Sequence, residues 1–191
     1  MNTPQPRNGR PGVQPARVVD LVLPDAEGER RPTKVCVRRA INGDVEQTRT
    51  LLVEGAGEGM MHLDELDTAL AELHPPADGE LPRTLLWVAD HDGSIVGVSG
   101  LRLTEPYVVA VRWLRVSTNH RRCGIGRMLL QESLHFCQRT GLLKVVLEIQ
   151  LDRIPVVELF RSLGFQLNRE RERNGVRVLE FYLDLYRDPH L

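Results

Sequence analysis

The chain has 191 residues, 41% of them hydrophobic, and a formal net charge of -1. This length and composition suit a single globular domain with a full core, and the near-zero charge argues against a nucleic-acid or polyanion partner. The three cysteines have no CxxC spacing, which predicts free thiols in a reducing cytoplasm and no metal site. No signal sequence and no run of about 20 apolar residues occurs, so we expect no membrane partner.

Proline is concentrated near the N-terminus. Half of the twelve prolines lie within residues 1–32, and no aromatic residue precedes Trp87. A segment of this composition buries little apolar surface. We therefore expect a flexible, Pro-rich leader at residues 1–33 and a single domain at residues 34–191.

The first predicted elements of that domain are a strand and two helices. Val35 and Val37 alternate with other residues, as in a strand. Asp44 is placed to cap a helix that runs to Leu52. Residues 62–74 carry leucines on one helical face and end before two prolines, which predicts a second helix.

The hydrophobic period then changes to that of strands. The remaining predicted elements are, in order, a hairpin of residues 85–89 and 95–99, a strand at 107–117, a helix at 124–140, a strand at 142–149, a helix at 154–163 and a second hairpin of 165–167 and 176–185 around an Asn-Gly turn. This order predicts a mixed α/β sheet without internal repeats.

The junction between the strand at 107–117 and the helix at 124–140 is rich in glycine and arginine. Six arginines lie between residues 102 and 127, against one acid. Glycines allow close approach to the backbone, and the first N–H groups of a helix are unpaired and electropositive. The junction therefore predicts a site for a ligand with several phosphates. The alternative is a glycine-rich helix start whose arginines face solvent.

Other phosphate-binding patterns fit the junction less well. A Walker loop requires a GK[ST] sequence, which is absent. A dinucleotide-binding turn requires a third glycine where Leu129 stands, although Glu148 lies at about the distance of a ribose-binding acid. A meander of strands precedes the junction instead of a βαβ unit. A nucleotide-binding protein of the Rossmann type remains an alternative.

Three sequence motifs, in the correct order, resemble those of the GNAT superfamily of acyl-CoA-dependent N-acetyltransferases. Arg121, Gly124 and Gly126 fill the fixed positions of its signature Q/R-x-x-G-x-G/A. Residues 158–165 (ELFRSLGF) resemble its L-Y-x-x-x-G-F motif, and residues 90–97 (DHDGSIVG) resemble its D-G-x-x-V-G hairpin. The resemblance covers about residues 35–185.

The resemblance implies a fold and a donor. The implied fold is a central mixed, mostly antiparallel sheet with splayed central parallel strands and flanking helices. The implied donor is acetyl-CoA, with its diphosphate on the backbone N–H groups of residues 122–127 and its pantetheine along the preceding strand. The cofactor-binding residues that the resemblance implies are Leu114, Arg115, Val116, Arg121, Arg122, Cys123, Gly124, Ile125, Gly126, Arg127 and Phe160.

Glu148 is the candidate general base. An amine with a pKa near ~10.4 is mostly protonated at neutral pH, a handicap of roughly 4 to 5 kcal/mol that a carboxylate can relieve directly or through water. Strand alternation puts Leu143, Val145, Leu147 and Ile149 on one face and Glu148 on the other. Its position also resembles that of the base in the ribosomal-protein N-terminal acetyltransferases of the family. The alternative is a structural carboxylate bonded to backbone or arginine.

Two positions depart from the family pattern. Phe160 stands where the family has its tyrosine general acid, and Arg153 stands where it has asparagine. A thiol with a pKa near ~8.5 is a fair leaving group without such an acid. These departures motivate a second hypothesis, a catalytically weak sensor or partner module that binds acyl-CoA. His120 is a candidate substrate contact or a plain loop residue, and an acyl-cysteine route through Cys123 lacks a clear base.

The acceptor is expected to be a primary amine of a small molecule or peptide. Residues 51–82 contain eight acids and no lysine or arginine. The resemblance implies that the first two helices and their loop wall the acceptor pocket. An acidic wall concentrates a cationic amine. The alternative is the solvated face of an amphipathic helix. The sequence leaves open whether the chain forms a homodimer.

Overall fold

The computed structural model describes residues 16–24, 28–54, 63–71 and 81–186, with the backbone alone for residues 63–66. The elements within these residues are, in chain order, β1 (Arg17–Pro24), β2 (Arg30–Arg39), a 3-10 turn (Asn42–Asp44), α1 (Val45–Val53), α2 (Leu63–Ala71), β3 (Thr84–His91), β4 (Ser94–Glu105), β5 (Val108–Val116), a second 3-10 turn (Thr118–His120), α3 (Ile125–Arg139), β6 (Lys144–Gln150), α4 (Ile154–Ser162), β7 (Gln166–Arg173) and β8 (Val176–Asp184). None of these helices is both long and apolar enough to cross a membrane.

The strands form one sheet in the order β1-β2-β3-β4-β5-β6-β8-β7. Every neighbouring pair is antiparallel except β5 and β6, which run parallel. The prediction of a mixed, mostly antiparallel sheet is therefore confirmed. The helices α3 and α4 and the strand β6 fall within two residues of their predicted bounds. Both predicted hairpins are present, but β4 and β7 continue to residues 105 and 173, beyond their predicted ends at 99 and 167.

The two faces of the sheet are covered by different helices. On one face, Leu52 of α1 and Leu70 of α2 share a buried cluster with Trp113 of β5. On the other face, Leu129 of α3 and Phe160 of α4 lie in the larger core cluster. Below, the first is called the α1–α2 face and the second the α3–α4 face.

Strand β6 shows the predicted alternation with one exception. Val145, Leu147 and Ile149 are buried in the core on the α3–α4 face, while Glu148 is exposed on the α1–α2 face. Leu143 was expected among the buried residues, but its side chain is 45% exposed. It precedes the strand, which begins at Lys144, so the alternation does not extend to it.

Regular structure begins earlier than the Pro-rich composition predicts. Strand β1 pairs antiparallel with β2 from Arg17 to Pro24 and buries Leu23. β1 is an edge strand, and β2 pairs with β3 only at residues 36–39. Pro32 therefore lies where β2 has a partner on one side only, a position at which a missing N–H is tolerated. Residues 1–15 of the expected leader lie outside the described residues.

Asp44 does not cap α1 through its side chain as expected. Its carboxylate accepts hydrogen bonds from Arg38 at 2.7 and 2.9 Å and from the backbone N–H of Ile41 at 2.8 Å. Arg38 also donates to Asp90 of β3 at 3.0 Å. Arg38 thus links Asp44, at the start of α1, to β2 and β3. Burial opposes ionisation of Asp44, but the bonds from Arg38 and Ile41 and the Arg38 charge outweigh it and lower the carboxyl pKa.

Replacing Asp44 with alanine is expected to lower the free energy of unfolding by about 2 to 3 kcal/mol near neutral pH, because Arg38 loses its main partner in a mostly buried site. A carboxyl whose pKa is lowered by folding contributes stability above its unfolded pKa, and this is lost as the pH falls through the folded pKa. The difference from wild type should therefore shrink below about pH 4. Urea unfolding of wild type and Asp44→Ala, near neutral pH and below about pH 4, measures this difference in the free energy of unfolding. The exposed Asp20→Ala variant is the control, and equal losses of stability in the two variants would contradict the prediction.

Candidate functional site

The two central parallel strands separate after a short paired stretch. Residues 108–110 of β5 pair with residues 144–146 of β6. Within the described residues, β5 continues to Val116 and β6 to Gln150 without further pairs between them. Each strand keeps its outer neighbour to that end, β4 for β5 and β8 for β6. A wedge-shaped gap therefore opens between the C-terminal halves of β5 and β6.

A β-bulge in β5 lies where the two strands part. Gly100 of β4 is opposite Trp113, whereas its neighbour Leu101 is opposite Val111, which leaves Arg112 as the extra residue. A bulge bends its strand and increases the local twist. A side chain at Gly100 would collide with the Trp113 ring, so only glycine allows the ring to lie there. The bulge follows the last paired residue of β5 and is placed to turn the strand away from β6.

The turn that follows β5 presents unpaired backbone N–H groups. Arg122 and Gly124 have positive φ angles of 64° and 87°. Gly124 is the N-terminal cap of α3 and offers no side-chain bond, and the first bond across the cap runs from Met128 N–H to its carbonyl. Within the described residues, no oxygen accepts a hydrogen bond from the N–H groups of residues 122–127. This arrangement is typical of an anion site.

The turn lies at the open end of the gap. A Cβ atom at Gly126 would lie 3.7 Å from Val116 at the end of β5 and 3.6 Å from Leu159 of α4, the helix that follows β6. The Arg121 guanidinium donates to the Val116 carbonyl at 3.2 Å, and Arg127 donates to Ser162 of α4 at 2.7 Å. These contacts fix the turn between the two separated strands.

Three arginines bring positive charge to this end of the gap. Burial, and then the charges of Arg121 and Arg153, lower the pKa of the Arg115 guanidinium. Arg115 lies on β5, Arg121 in the turn and Arg153 at the start of α4. Asp152 approaches Arg153 only at 3.8 Å and is largely exposed. Clustered guanidinium groups favour a phosphate or carboxylate ligand.

Glu148 borders the gap on its other side. It lies on β6 beyond the last residue paired with β5, on the α1–α2 face, and its side chain is 49% exposed. Its nearest cation is the Arg173 guanidinium, 3.9 Å from Oε2. The neighbouring carboxylate on β8, Glu180, has partners of its own in Arg169 and Arg171. Glu148 is thus open to water and to a ligand in the gap.

Several other candidate residues lie in the core or make local contacts. Phe160 is 2% exposed and packs edge-to-face on Phe165 with ring centroids 5.1 Å apart. The Ile125 side chain is also buried, so only its backbone faces the turn. Cys123 is half-buried and points its thiol at the Arg121 carbonyl. The part of the chain that the structure describes contains no group of three potential metal ligands.

Sequence reasoning missed a pocket beside the turn. Its volume is about 630 Å³ and it is lined by residues of the β1–β2 hairpin, the β3–β4 turn and the second 3-10 turn. His120 lies there half-buried, 2.6 Å from the Ser117 hydroxyl and in ring contact with His91. Burial and the His91 charge lower the His120 pKa. The histidines lie on segments far apart in the sequence, so no local pattern indicated the contact.

The acidic segment between residues 51 and 82 is described only in part. Its Asp67 forms an exposed ion pair with Arg49 at 3.0 Å, between α2 and α1. A pocket of about 450 Å³ lies beside this pair. Of the eight acids, only Glu54 and Asp67 have described side chains. The other six lie outside the described side chains.

Comparison with known sequences identifies the family. Residues 58–165, more than half of the chain, match the family described as Acetyltransferase (GNAT) family. The chain is 34% identical over 103 residues to N-acetyltransferase family 8 member 3 of Rattus norvegicus, covering 48% of this chain and 45% of the relative. It is 35% identical over 81 residues to mycothiol acetyltransferase of Thermobifida fusca, covering 42% of this chain and 24% of that relative. It is 33% identical over 86 residues to N-acetylaspartate synthetase of Xenopus tropicalis, covering 44% of this chain and 32% of that relative. The matches span less than half the length of each relative.

Solved structures share the fold. The ribosomal-protein-S18-alanine N-acetyltransferase of Escherichia coli has a TM-score of 0.66 at 14% identity, covering 79% of this chain and 94% of that one. The structure of yncA from Salmonella typhimurium with acetyl-CoA has a TM-score of 0.63 at 21% identity, covering 82% and 96%. The family match over more than half of the chain, on a sheet with this gap and turn, shows that the chain belongs to the GNAT acetyltransferase family.

Proposed function

We propose that this protein is an enzyme that transfers an acetyl group from acetyl-CoA to a primary amine of a small molecule or peptide, by direct attack of the amine on the thioester. The observation that carries the proposal is the set of N–H groups at residues 122–127. They have no acceptor among the described residues and lie at the open end of the gap between β5 and β6. A diphosphate satisfies such groups and adds the favourable interaction with the helix N-terminus.

The residues around the gap fit the rest of the donor. Leu114, Arg115 and Val116 pair with β4 on one edge, while their other edge faces the gap. That free edge suits the amide groups of the pantetheine. The missing side chain at Gly126 leaves space between Val116 and Leu159 where the donor would enter. Phe160 supports α4 from the core, and we do not propose it as a direct contact of the donor.

When bound, acetyl-CoA supplies the thioester whose acetyl group is transferred and whose thiolate leaves. Glu148 is the group we assign to take the proton from the attacking amine, directly or through a water molecule. Its exposure on the gap side of β6 supports this role. Phe160 has no proton to give, so we assign protonation of the departing thiolate to solvent.

The names of two relatives bear on the acceptor in this proposal, and the cysteines bear on the compartment. N-acetylaspartate synthetase and mycothiol acetyltransferase are named for small molecules, which favours a small-molecule amine for this chain as well. The three cysteines of the chain are free thiols, and this agrees with a reducing cytoplasm.

A second candidate function is that of an acyl-CoA-binding module with little catalysis. The specific observation in its favour is Phe160, a buried phenyl group at the position of the family's general acid. Both candidates use the same donor site, so donor binding does not separate them. Turnover does.

Amine-dependent release of free thiol tests the proposed function. The purified protein, acetyl-CoA and a broad panel of primary amines are incubated with a thiol-reactive chromophore. We expect at least one amine to raise thiol release well above the rate without amine. Donor binding without amine-dependent release from any member would instead support the binding module.

A further inference from the structure

The acceptor side of Glu148 is a partly exposed sheet face built from β6, β8 and β7. Alternate residues of β6 and β8, such as Leu147 and Phe181, are buried on the α3–α4 face. Glu148 and its neighbour Glu180 therefore lie on the opposite face. Strand β7 is exposed along its whole length. A molecule that approaches Glu148 from this side meets the polar side chains of these three strands.

Arginines of β7 outnumber the two acids beside them, Glu148 and Glu180, while the third acid of this face, Asp184, lies 3.6 Å from Lys144. Arg169, Arg171 and Arg173 follow at every second position and so point to the same side of the strand. Arg169 and Arg171 both form ion pairs with Glu180, the latter at 2.6 Å. Arg173 is the remaining cation, 74% exposed and 3.9 Å from Glu148. Three guanidinium groups thus face two carboxylates.

Arg115 adds positive charge on the other side of the gap. It is opposite Val98, a residue of the α1–α2 cluster, and so projects to the same face as Glu148. Among the described residues its guanidinium has no hydrogen bond or ion pair, and the charges of Arg121 and Arg153 are near enough to lower its pKa. Glu148 is therefore a carboxylate with Arg173 of β7 beside it, on the face to which Arg115 projects from the other side of the gap.

We propose that the amine acceptor carries a carboxylate close to its primary amine, as an amino acid does, and that Arg173 binds this carboxylate while the amine faces Glu148. The inference rests on the proposed function and names its acceptor class. The charges complement each other, because the amine meets the one acid available to it and the carboxylate meets the surplus arginine. An acceptor with an amine alone would leave the arginine side of the site without a partner.

Matched acceptors test the inference. Each L-amino acid of a panel is compared with its carboxamide and with the amine that lacks the carboxyl carbon. The carboxamide has nearly the same shape and a less basic amine, so amine availability cannot explain a preference for the acid. For the best substrate we expect kcat/KM to be at least about 10-fold higher for the acid than for its carboxamide. This is the effect of losing one hydrogen bond between charged groups.

Replacing Arg173 with glutamine should reduce kcat/KM for the acid by about 10-fold and leave the carboxamide nearly unchanged. Arg30→Gln, at the far end of the sheet, should change neither. Equal or better turnover of carboxamides, or equal losses for acid and carboxamide in the Arg173 variant, would overturn the inference. So would turnover of amines that lack a carboxylate together with turnover of no acid. A protein that binds acetyl-CoA but turns over no amine at all, or one that does not bind acetyl-CoA, would instead overturn the proposed function.

Discussion

Replacing Gly126 with tryptophan is expected to abolish acetyl-CoA binding while the protein still folds. The Cβ atom would lie at ordinary contact distance from Val116 and Leu159, so the backbone can accept a side chain. A large ring projecting from that Cβ would fill the entrance of the gap beside the N–H groups of the turn. We expect affinity for acetyl-CoA to fall by at least about 100-fold, or roughly 2.7 kcal/mol.

Isothermal titration calorimetry of wild type, Gly126→Ala and Gly126→Trp measures this loss, with thermal unfolding to verify the fold. The alanine variant should retain part of the affinity, because one methyl group leaves most of the entrance open. Gly43→Trp is the matched control, since a side chain there meets open space outside the turn. Wild-type affinity in a folded Gly126→Trp protein would show that the turn is not the donor site.

Replacing Glu148 with glutamine is expected to reduce kcat by about 100- to 10,000-fold, the usual range for loss of a general base. The amide cannot take a proton, but it keeps the size of the side chain, and Glu148 lies in an exposed position without close packing. Affinity for acetyl-CoA should therefore stay unchanged. The rate of the variant should also recover as the pH rises toward the pKa of the amine, because the neutral amine then needs no base.

Steady-state kinetics across pH with a fixed acceptor tests this role. Glu172→Gln, an exposed acid on β7 outside the gap, should retain the wild-type rate. Unchanged kcat in Glu148→Gln would remove the base assignment. A parallel loss in both variants would point to a general effect of charge.

Local features of the chain were predictable from sequence because they depend on local sterics. Gly124 takes a positive φ as the cap of α3, and Asn174 and Gly175 take positive φ in the β7–β8 turn. These conformations favour glycine and asparagine, so the residues mark the turns. The fixed positions of the family motif then located the turn relative to β5, and the structure places them at the open end of the gap.

Features set by long-range pairing were not predictable in the same way. Strand β1 exists because β2 offers it an edge, and the nearby prolines concealed this. Asp44 has the sequence context of a helix cap, yet Arg38 and the N–H of Ile41 take both of its oxygens. The approach of Arg173 to Glu148 depends on how the β7–β8 hairpin lies against β6. No spacing in the sequence encodes that arrangement.

The most direct measurement of the central claim is a titration of isotope-labelled protein with CoA, followed through its backbone amide resonances. We predict the largest shifts at the amides of residues 122–127, with smaller shifts along Leu114, Arg115 and Val116. Pantetheine, which lacks the diphosphate, should leave the amides of residues 122–127 nearly unshifted. Large shifts confined to other regions, such as the pocket between α1 and α2, would contradict the assignment of this turn as the diphosphate site.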